Sequence, residues 1–370
     1  MTLCLSTYFV YPAVIWLIGR VRPLKTIKEE ITPSVSVIIP AHNEAKSIDR
    51  KIRNTLDLDY PRDKMEILVG SDGSNDATAA IAKGFGERGV RVFDFKVNRG
   101  KTAVQNDLVA QARGEILIFT DAASFLSQGS IRKIVNNFAD HRIGCVAGRL
   151  RYVNTDSNLN TQSQGLYWSY EVKVREFESE LGSLIGVDGP LYAVRRGCYV
   201  PLAPNLISDL MTPLLVLEQG KKVVLEPEAV VDEEPTAKSE QEFATRKRIT
   251  LRGLVGISAH LRLLNPVKNP LLSFQIFFHK AVRWFVGPLV VLNILSCIAL
   301  SHHPFFKLML VAYSCLLFGA ALGWLAERWG IQAKILRIPY YFCLVNLAAT
   351  MGIMSFLRKQ QAVTWTPVRH

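Results

Sequence analysis

Residues 34–44 read SVSVIIPAHNE. The first seven form an apolar, β-branched run with Pro33 before it and Pro40 at its end. Such a run suits a strand buried on both faces of a parallel sheet. Asn43 then stands where a helix over 44–56 would take its N-cap. Working outward, residues 66–70 (EILVG), 89–95 (GVRVFDF) and 115–120 (EILIFT) are three more strand-like runs. Residues 76–85 follow the turn Asp72-Gly73-Ser74-Asn75, and 101–112 follow Asn98-Arg99-Gly100; both stretches read as helices. Strand–helix alternation predicts an α/β fold with a mostly parallel, doubly wound sheet. Ligands bind such sheets at the carboxyl ends of the strands. Residues 40–44, 71–76, 98–101 and 121–124 therefore gather at one edge.

That edge is acidic. No GxGxxG follows the first strand, so an ordinary dinucleotide-binding fold loses support. The strand ends offer Glu44, Asp72 and Asp121 instead. Carboxylates that face a nucleotide phosphate need a divalent cation between them. An aspartate at such a place can also simply cap the next helix. Asp76 is read that way, whereas Asp72 and Asp121, on consecutive elements of one sheet edge, are read as functional.

The ends of the chain differ in character from the middle. Of 370 residues, 49% are hydrophobic, and 44 Lys+Arg against 32 Asp+Glu give a net charge of +12. Mean hydropathy is +0.16. A disordered chain is poorer in apolar residues. Residues 3–19 carry no charge and precede Arg20, Arg22, Lys25 and Lys28. A cleaved signal peptide needs a basic start and a small-residue cleavage site; this stretch has neither and reads as a membrane anchor. Residues 284–300, 305–326 and 338–356 are three further candidate spans. Basic flanks mark the cytoplasmic side, so the middle of the chain is expected in the cytoplasm. Three C-terminal spans would then put Arg358, Lys359 and Arg369 outside, against the same rule. Either one segment is re-entrant or interfacial, or the rule fails at this tail. Residues 263–283 mix apolar side chains with Lys268, His279, Lys280 and Arg283, as a helix lying on the headgroups does. The expected division is an anchor (1–20), a cytoplasmic domain (34–255), interfacial helices (256–283), transmembrane helices (284–357) and a basic tail (358–370).

The six cysteines, at 4, 145, 198, 297, 315 and 343, make no CxxC, and the seven histidines make no HExxH. Zinc and redox motifs thus have no support, and a reducing compartment is the expected setting. The positive charge clusters beside apolar spans without a nucleic-acid-binding motif, so membrane phospholipid is the expected partner and nucleic acid is not.

With these residues in view, the chain resembles the family 2 glycosyltransferases, and in particular their membrane-embedded polysaccharide synthase branch. Residues 37–44 (VIIPAHNE) look like the opening strand and nucleoside-binding loop, with Pro40, Asn43 and Glu44 on the donor. Ser71-Asp72-Gly73-Ser74 looks like the aspartate motif that contacts base and ribose. Asn98-Arg99-Gly100-Lys101 is similar to the segment whose lysine approaches the diphosphate. Thr120-Asp121-Ala122-Ala123 occupies the DxD position, which implies a metal on Asp121. Residues 186–192 (GVDGPLY) are similar to the acceptor loop, implying acceptor contacts from Asp188, Gly189 and Tyr192. Ser208-Asp209-Leu210 occupies the TED position, where the aspartate is the base, and Thr245-Arg-Lys-Arg248-Ile249 the (Q/R)xxRW position, with Arg248 on the donor. The chain departs from the pattern at Ala123, Ser208, Thr245 and Ile249.

The resemblance implies a GT-A-like domain with one N-terminal and about three C-terminal membrane helices. It further implies inverting transfer from a nucleotide-sugar, expected to be a UDP-sugar, with Mg2+ or Mn2+ as cofactor. The acceptor would be a polysaccharide or a lipid-linked glycan at the cytoplasmic face of the inner (plasma) membrane, with polysaccharide-export proteins as partners. Two alternatives stand beside this: a non-processive transferase acting on polyprenyl phosphate or another lipid, and an inactive scaffold that binds sugar nucleotide. The helix over 164–181 carries Tyr167, Trp168, Tyr170 and Phe177, which suit core packing as well as they suit sugar stacking or a membrane interface.

Overall fold

The computed structural model describes residues 2–153, 159–235, 238–331, 333–360 and 363–364. Trp365 and Arg369 lie outside them. The strands are β1 (Val35–Ala41), β2 (Met65–Asp72), β3 (Val90–Phe95), β4 (Ile116–Phe119), β5 (Phe125–Leu126), β6 (Ile143–Tyr152), β7 (Tyr192–Arg195) and β8 (Lys222–Glu233). The longer helices are α1 (Leu3–Val21), α2 (Ile48–Leu56), α3 (Thr78–Lys83), α4 (Lys101–Gln111), α5 (Ser130–Asn136) and α6 (Leu159–Glu180). They continue with α7 (Ser208–Glu218), α8 (Ser239–Ala259), α9 (Pro270–Ala299), α10 (Pro304–Arg328) and α11 (Arg337–Leu357). The chain divides into two compact units. One is Trp16–Val153, Val172–Glu234 and Ala362–His370; the other is Met1–Ile15, Asn154–Glu171 and Pro235–Gln361.

The first unit is α/β. Its strands run in the order β3-β2-β1-β4-β7-β6-β8-β5. β1 pairs parallel with β2 and β4, and β2 with β3. All seven residues of β1 are buried, as a central strand covered on both faces requires. The chain leaves β1 toward β2 and returns on its other side as β4, so the switch point of the sheet opens between β1 and β4. Beyond β4 the sheet is mixed, because β7 runs antiparallel to both β4 and β6. Ile38, Leu68, Leu117 and Phe119 pack with Val104 and Leu108 of α4 and with Tyr192 and Val194 of β7.

One local expectation is corrected here. α2 begins at Ile48, not at residue 44, and Asn43 does not cap it. Asn43 sits in the left-handed region at φ 53, where asparagine is tolerated because its side chain bonds locally. Its side-chain oxygen accepts the Asn75 N–H at 2.9 Å, tying it to the next loop instead.

The second unit is helical. α9, 30 residues long, is continuous through the junction expected at 283/284. Pro270 occupies its first turn, where a missing N–H costs nothing. π-helical turns at Ser6–Val10 and Ile276–Val282 meet, and the Thr7 hydroxyl donates to the Phe278 carbonyl at 2.5 Å. Nearby, the Glu171 carboxylate holds His279 Nε2 at 2.8 Å and Arg283 Nη1 at 2.5 Å. Buried charge is tolerable only when so matched. α9 and α10 expose Leu292, Leu295, Ile298, Leu308, Val311 and Phe318. α1, α9, α10 and α11 are each long and apolar enough to cross a membrane.

Candidate active site

Three loops meet where β1, β2 and β3 end. His42 Nδ1 lies 2.6 Å from the Asp72 carbonyl oxygen. That oxygen only accepts, so Nδ1 carries a proton. Nε2 faces the side-chain amides of Asn98 at 3.1 Å and Asn43 at 3.4 Å. One imidazole thus fastens the loops after β1, β2 and β3 to one another. Asp72 is 1% exposed. Its Oδ1 and Oδ2 accept the N–H groups of Arg99 and Gly100, both at 2.8 Å. The aspartate shapes the turn that launches α4. Glu44 is buried, accepts the Ser47 hydroxyl at 2.5 Å, and gives its own N–H to Thr78 Oγ1 at 2.8 Å. Pro40 is part of β1. Asp76 accepts from the N–H groups of Thr78 at 2.9 Å and Ala45 at 3.1 Å, the local turn role read for it from sequence. These bonds draw the Asp76 carboxyl below the usual range against the effect of burial.

The charged centre lies at the switch point. Lys101 is the first residue of α4, following Gly100. Its Nζ is 2.6 Å from Asp121 Oδ1, just beyond β4, and 4.0 Å from Asp209 Oδ1 in the first turn of α7. Burial works against the Lys101 ammonium, but Asp121 and then Asp209 outweigh it and hold its pKa above that of ordinary lysine. Asp209 is not the cap of its helix: Ile207 is, without a side-chain bond. The Asp209 side chain is instead 30% exposed, open to a substrate. Gly189 closes the group. A Cβ there would lie 2.8 Å from both Asp209 Oδ2 and Lys101 Nζ, so only glycine lets this loop pass so close.

The loop that carries Gly189 is braced from α6. Arg175 Nη1 pairs with Asp188 Oδ2 at 2.5 Å, and Nη2 donates to the Gly186 carbonyl at 2.7 Å. Both side chains of that pair are nearly buried, so Asp188 holds the loop in place. Tyr192 is 0% exposed and stacks on Phe119 with ring centroids 4.7 Å apart. The structure therefore puts this expected acceptor residue in the core. Thr120 Oγ1 donates to the Pro190 carbonyl at 2.7 Å and accepts from Lys51 Nζ at 2.7 Å. Lys51 is wholly buried, which pushes its pKa down to about 7.

Arg248 belongs to α8 in the helical unit. Its neighbour Arg246 is held there by Glu242 at 2.7 Å and donates to the Tyr341 hydroxyl at 3.1 Å. Arg246 thus ties α8 to α11.

Sequence reasoning singled out Lys101, Asp121, Gly189 and Asp209, and the fold brings these four together. It passed over His42, Lys51 and Arg175. For Lys51 a signal was present. Ile48, Lys51, Ile52 and Thr55 fall at i, i+3, i+4 and i+7, so a lysine stands on the buried stripe of an amphipathic helix.

Among the described residues no three His, Cys, Asp or Glu side chains cluster to hold a metal. Asp121 is the one carboxylate on its turn. That donor set fits a hard divalent ion such as Mg2+, which takes one or two carboxylates and completes its shell with phosphate and water. It does not fit zinc.

Comparison with known proteins bears on this geometry. Residues 36–199 match the family described as Glycosyl transferase family 2. A probable glycosyltransferase, YdaM, of Bacillus subtilis is 31% identical over 140 residues, 35% of this chain and 32% of the relative. The beta-monoglucosyldiacylglycerol synthase of Trichormus variabilis is 27% identical over 44% of this chain and 36% of its own. The poly-beta-1,6-N-acetyl-D-glucosamine synthase of Staphylococcus aureus is 23% identical over 60% and 58%. The matches thus span about a third to three-fifths of the length of these curated relatives. The fold is that of the mannosyltransferase PcManGT from Pyrobaculum calidifontis, solved with GDP-Man and Mn2+. The TM-score is 0.74 at 21% identity, over 96% of this chain and 97% of that one.

Proposed function

We propose, from the match of residues 36–199 to glycosyl transferase family 2, that the protein transfers a sugar from a nucleotide-sugar to a hydroxyl acceptor with inversion. The observation that carries the reading is Lys101 Nζ lying 2.6 Å from Asp121 and 4.0 Å from Asp209, with Gly189 pressed against it. The nucleoside lies along the loops that His42 fastens, and Asn43 and Asp72 shape that end of the site. The diphosphate lies at the N-terminus of α4, where helix N–H groups and the Lys101 ammonium favour an anion. Arg248 is assigned to the same diphosphate. Asp121 would hold a divalent cation, Mg2+ or Mn2+, whose chemistry is to offset charge on the leaving diphosphate.

The acceptor hydroxyl oxygen bonds to the anomeric carbon from the face opposite the diphosphate. Its proton goes to the Asp209 carboxylate. The carbon–oxygen bond to phosphate breaks, and the nucleoside diphosphate leaves with the electron pair. Asp209 suits this role because proton loss accompanies attack in a fixed geometry. The proposed donor is a UDP-sugar and the acceptor a polysaccharide or lipid-linked glycan.

The same reading includes a topology. A Cβ at Gly100 would fall 2.2 Å from the Val363 carbonyl oxygen, so Val363 lies against the loop before α4. Leu357 and Val363 are six residues apart, a reach of at most about 21 Å, less than the roughly 30 Å hydrocarbon core. The stretch from the end of β8 to Val363 thus begins and ends on one side of the membrane and crosses it an even number of times. It contains three long apolar helices, so one of them does not cross. α11 is that helix. It packs along α8, where a Cβ at Gly352 would meet the Lys247 carbonyl oxygen at 2.8 Å, and Tyr341 donates to Glu242 at 2.8 Å. α8 carries too many charges to enter a bilayer. With α1 the chain crosses three times, and Arg358 and Lys359 join Arg20 and Arg22 on the cytoplasmic side. The sequence-level conflict with the positive-inside rule disappears.

The test is nucleotide release by purified, detergent-solubilised protein, given UDP- and GDP-sugars, Mg2+ or Mn2+ and a lipid extract. Asp209→Asn should bind donor yet lose about 100- to 10,000-fold in turnover. Unchanged turnover in that variant would remove Asp209 as the base. Donor binding without release, whatever the acceptor, would favour the sugar-nucleotide-binding scaffold.

A further inference from the structure

We infer that Lys51 is a positioning residue that sets the turn bearing Asp121 and couples it to the loop bearing Gly189. The inference rests on the donor reading of that turn. Lys51 is 0% exposed on the apolar stripe of α2, among Ile48, Ile52 and Leu56. A methionine or leucine would fill that place without stripping water from a charge. The ammonium is spent on one task. Nζ donates to Thr120 Oγ1 and to the Ser124 carbonyl oxygen, each at 2.7 Å. These two atoms bracket Asp121-Ala122-Ala123, a stretch in which only Asp121 has a polar side chain. The turn's own closure is modest: the Ser124 N–H and hydroxyl reach the Asp121 carbonyl at 3.3 and 3.0 Å. One nitrogen therefore fixes the start and the end of the turn together.

The coupling runs through Thr120. Its hydroxyl has one proton, given to the Pro190 carbonyl at 2.7 Å, and a lone pair that receives Lys51. Pro190 follows Gly189, whose close approach to Lys101 and Asp209 completes the charged centre. Lys51 thus never touches substrate, yet it registers the donor turn against the loop beside the base.

The test uses the full chain in detergent. Lys51→Met keeps length and apolar character while deleting the ammonium. Amide hydrogen exchange at residues 121–124, without ligand, should rise tenfold or more, with melting temperature and exchange in β1 near wild type. Donor Kd, measured with a UDP-sugar and Mg2+, should weaken tenfold or more, and kcat should fall with it. A merely structural lysine would lower the melting temperature and leave donor affinity in the folded fraction unchanged. If Lys51→Met does not fold, Thr120→Val removes only the relay and should weaken donor binding severalfold. Exchange at 121–124 unchanged in the folded Lys51→Met, or donor affinity within twofold of wild type in either folded variant, would overturn the inference. If wild type itself binds no sugar nucleotide, the donor reading fails instead. The exchange measurement then still decides whether Lys51 holds the turn.

Discussion

Replacing Gly189 by alanine isolates the geometry of the charged centre from the stability of the fold. Gly189 is not among the residues at positive φ, so its backbone accepts a side chain without strain. Such a change by itself adds roughly 0.4–1 kcal/mol of stability by restricting the unfolded chain. The new methyl carbon would stand 2.8 Å from Asp209 Oδ2 and from Lys101 Nζ, against an ordinary contact of 3.4 Å. Each must retreat by about 0.6 Å. Both are the far ends of side chains, so they swing aside and the backbone stays. On the proposed mechanism, the retreat would drive Asp209 off the line of the acceptor proton and Lys101 off the diphosphate. A misplacement of about 1 Å in a reacting group costs on the order of 100-fold in rate, so 0.6 Å in two groups should cost about 10- to 100-fold in kcat. The melting temperature should move by no more than about 3 °C. Steady-state nucleotide release beside a thermal melt reads both. A folded Gly189→Ala enzyme with kcat within twofold of wild type would refute the argument, because the close approach would then have no chemical consequence.

Other outcomes follow from the same geometry. A single cysteine at residue 331, between α10 and α11, in an otherwise cysteine-free chain should react with a membrane-impermeant maleimide only from the cytoplasmic side; one at residue 302, between α9 and α10, should react only from outside. Labelling of both from one side would sink the three-crossing topology. Removal of divalent cations with a chelator should weaken donor binding at least tenfold and be reversed by Mg2+ or Mn2+, whereas zinc should not restore it.

The half of the sheet that forms the site was legible because it is local. β1 to β4 are apolar runs of four to eight residues separated by helices, and each carries its turn signal beside it. The second half was not. β7 enters the sheet antiparallel between β4 and β6, a pairing made across long separations that no local pattern encodes. Asn43 shows how local signals mislead: the residue type suits an N-cap, but its partner is Asn75, 32 residues away. Arg175 and Asp188 were unreadable as a pair for the same reason, since charges alone do not say which of them are buried. Tyr192 marks the limit of a motif. The tyrosine stands at the expected position, and strand pairing with Phe119 turns it inward.

On the proposed function, the charges of the centre would give a lysine and a cation separate work to do. Asp121, Asp209 and Lys101 sum to one negative charge, and a nucleotide-sugar diphosphate brings about two more. The N-terminus of α4 offsets roughly half a charge. Lys101 cannot neutralise the donor alone while it also faces two carboxylates. If it turned wholly to the phosphates, Asp121 would lose its close ammonium contact in a poorly solvated place. A divalent ion held by Asp121 would remove the conflict. Asp121 would then bind the ion, and Lys101, which now lies 2.6 Å from that carboxylate, would be free for the diphosphate. Lys101 also stays near Asp209, the second carboxylate. This division needs only one aspartate on the turn after β4. On the proposed function it therefore accounts for Ala123 standing where a second carboxylate would be expected. It also shows why the turn must be held from behind by a group other than its own side chains.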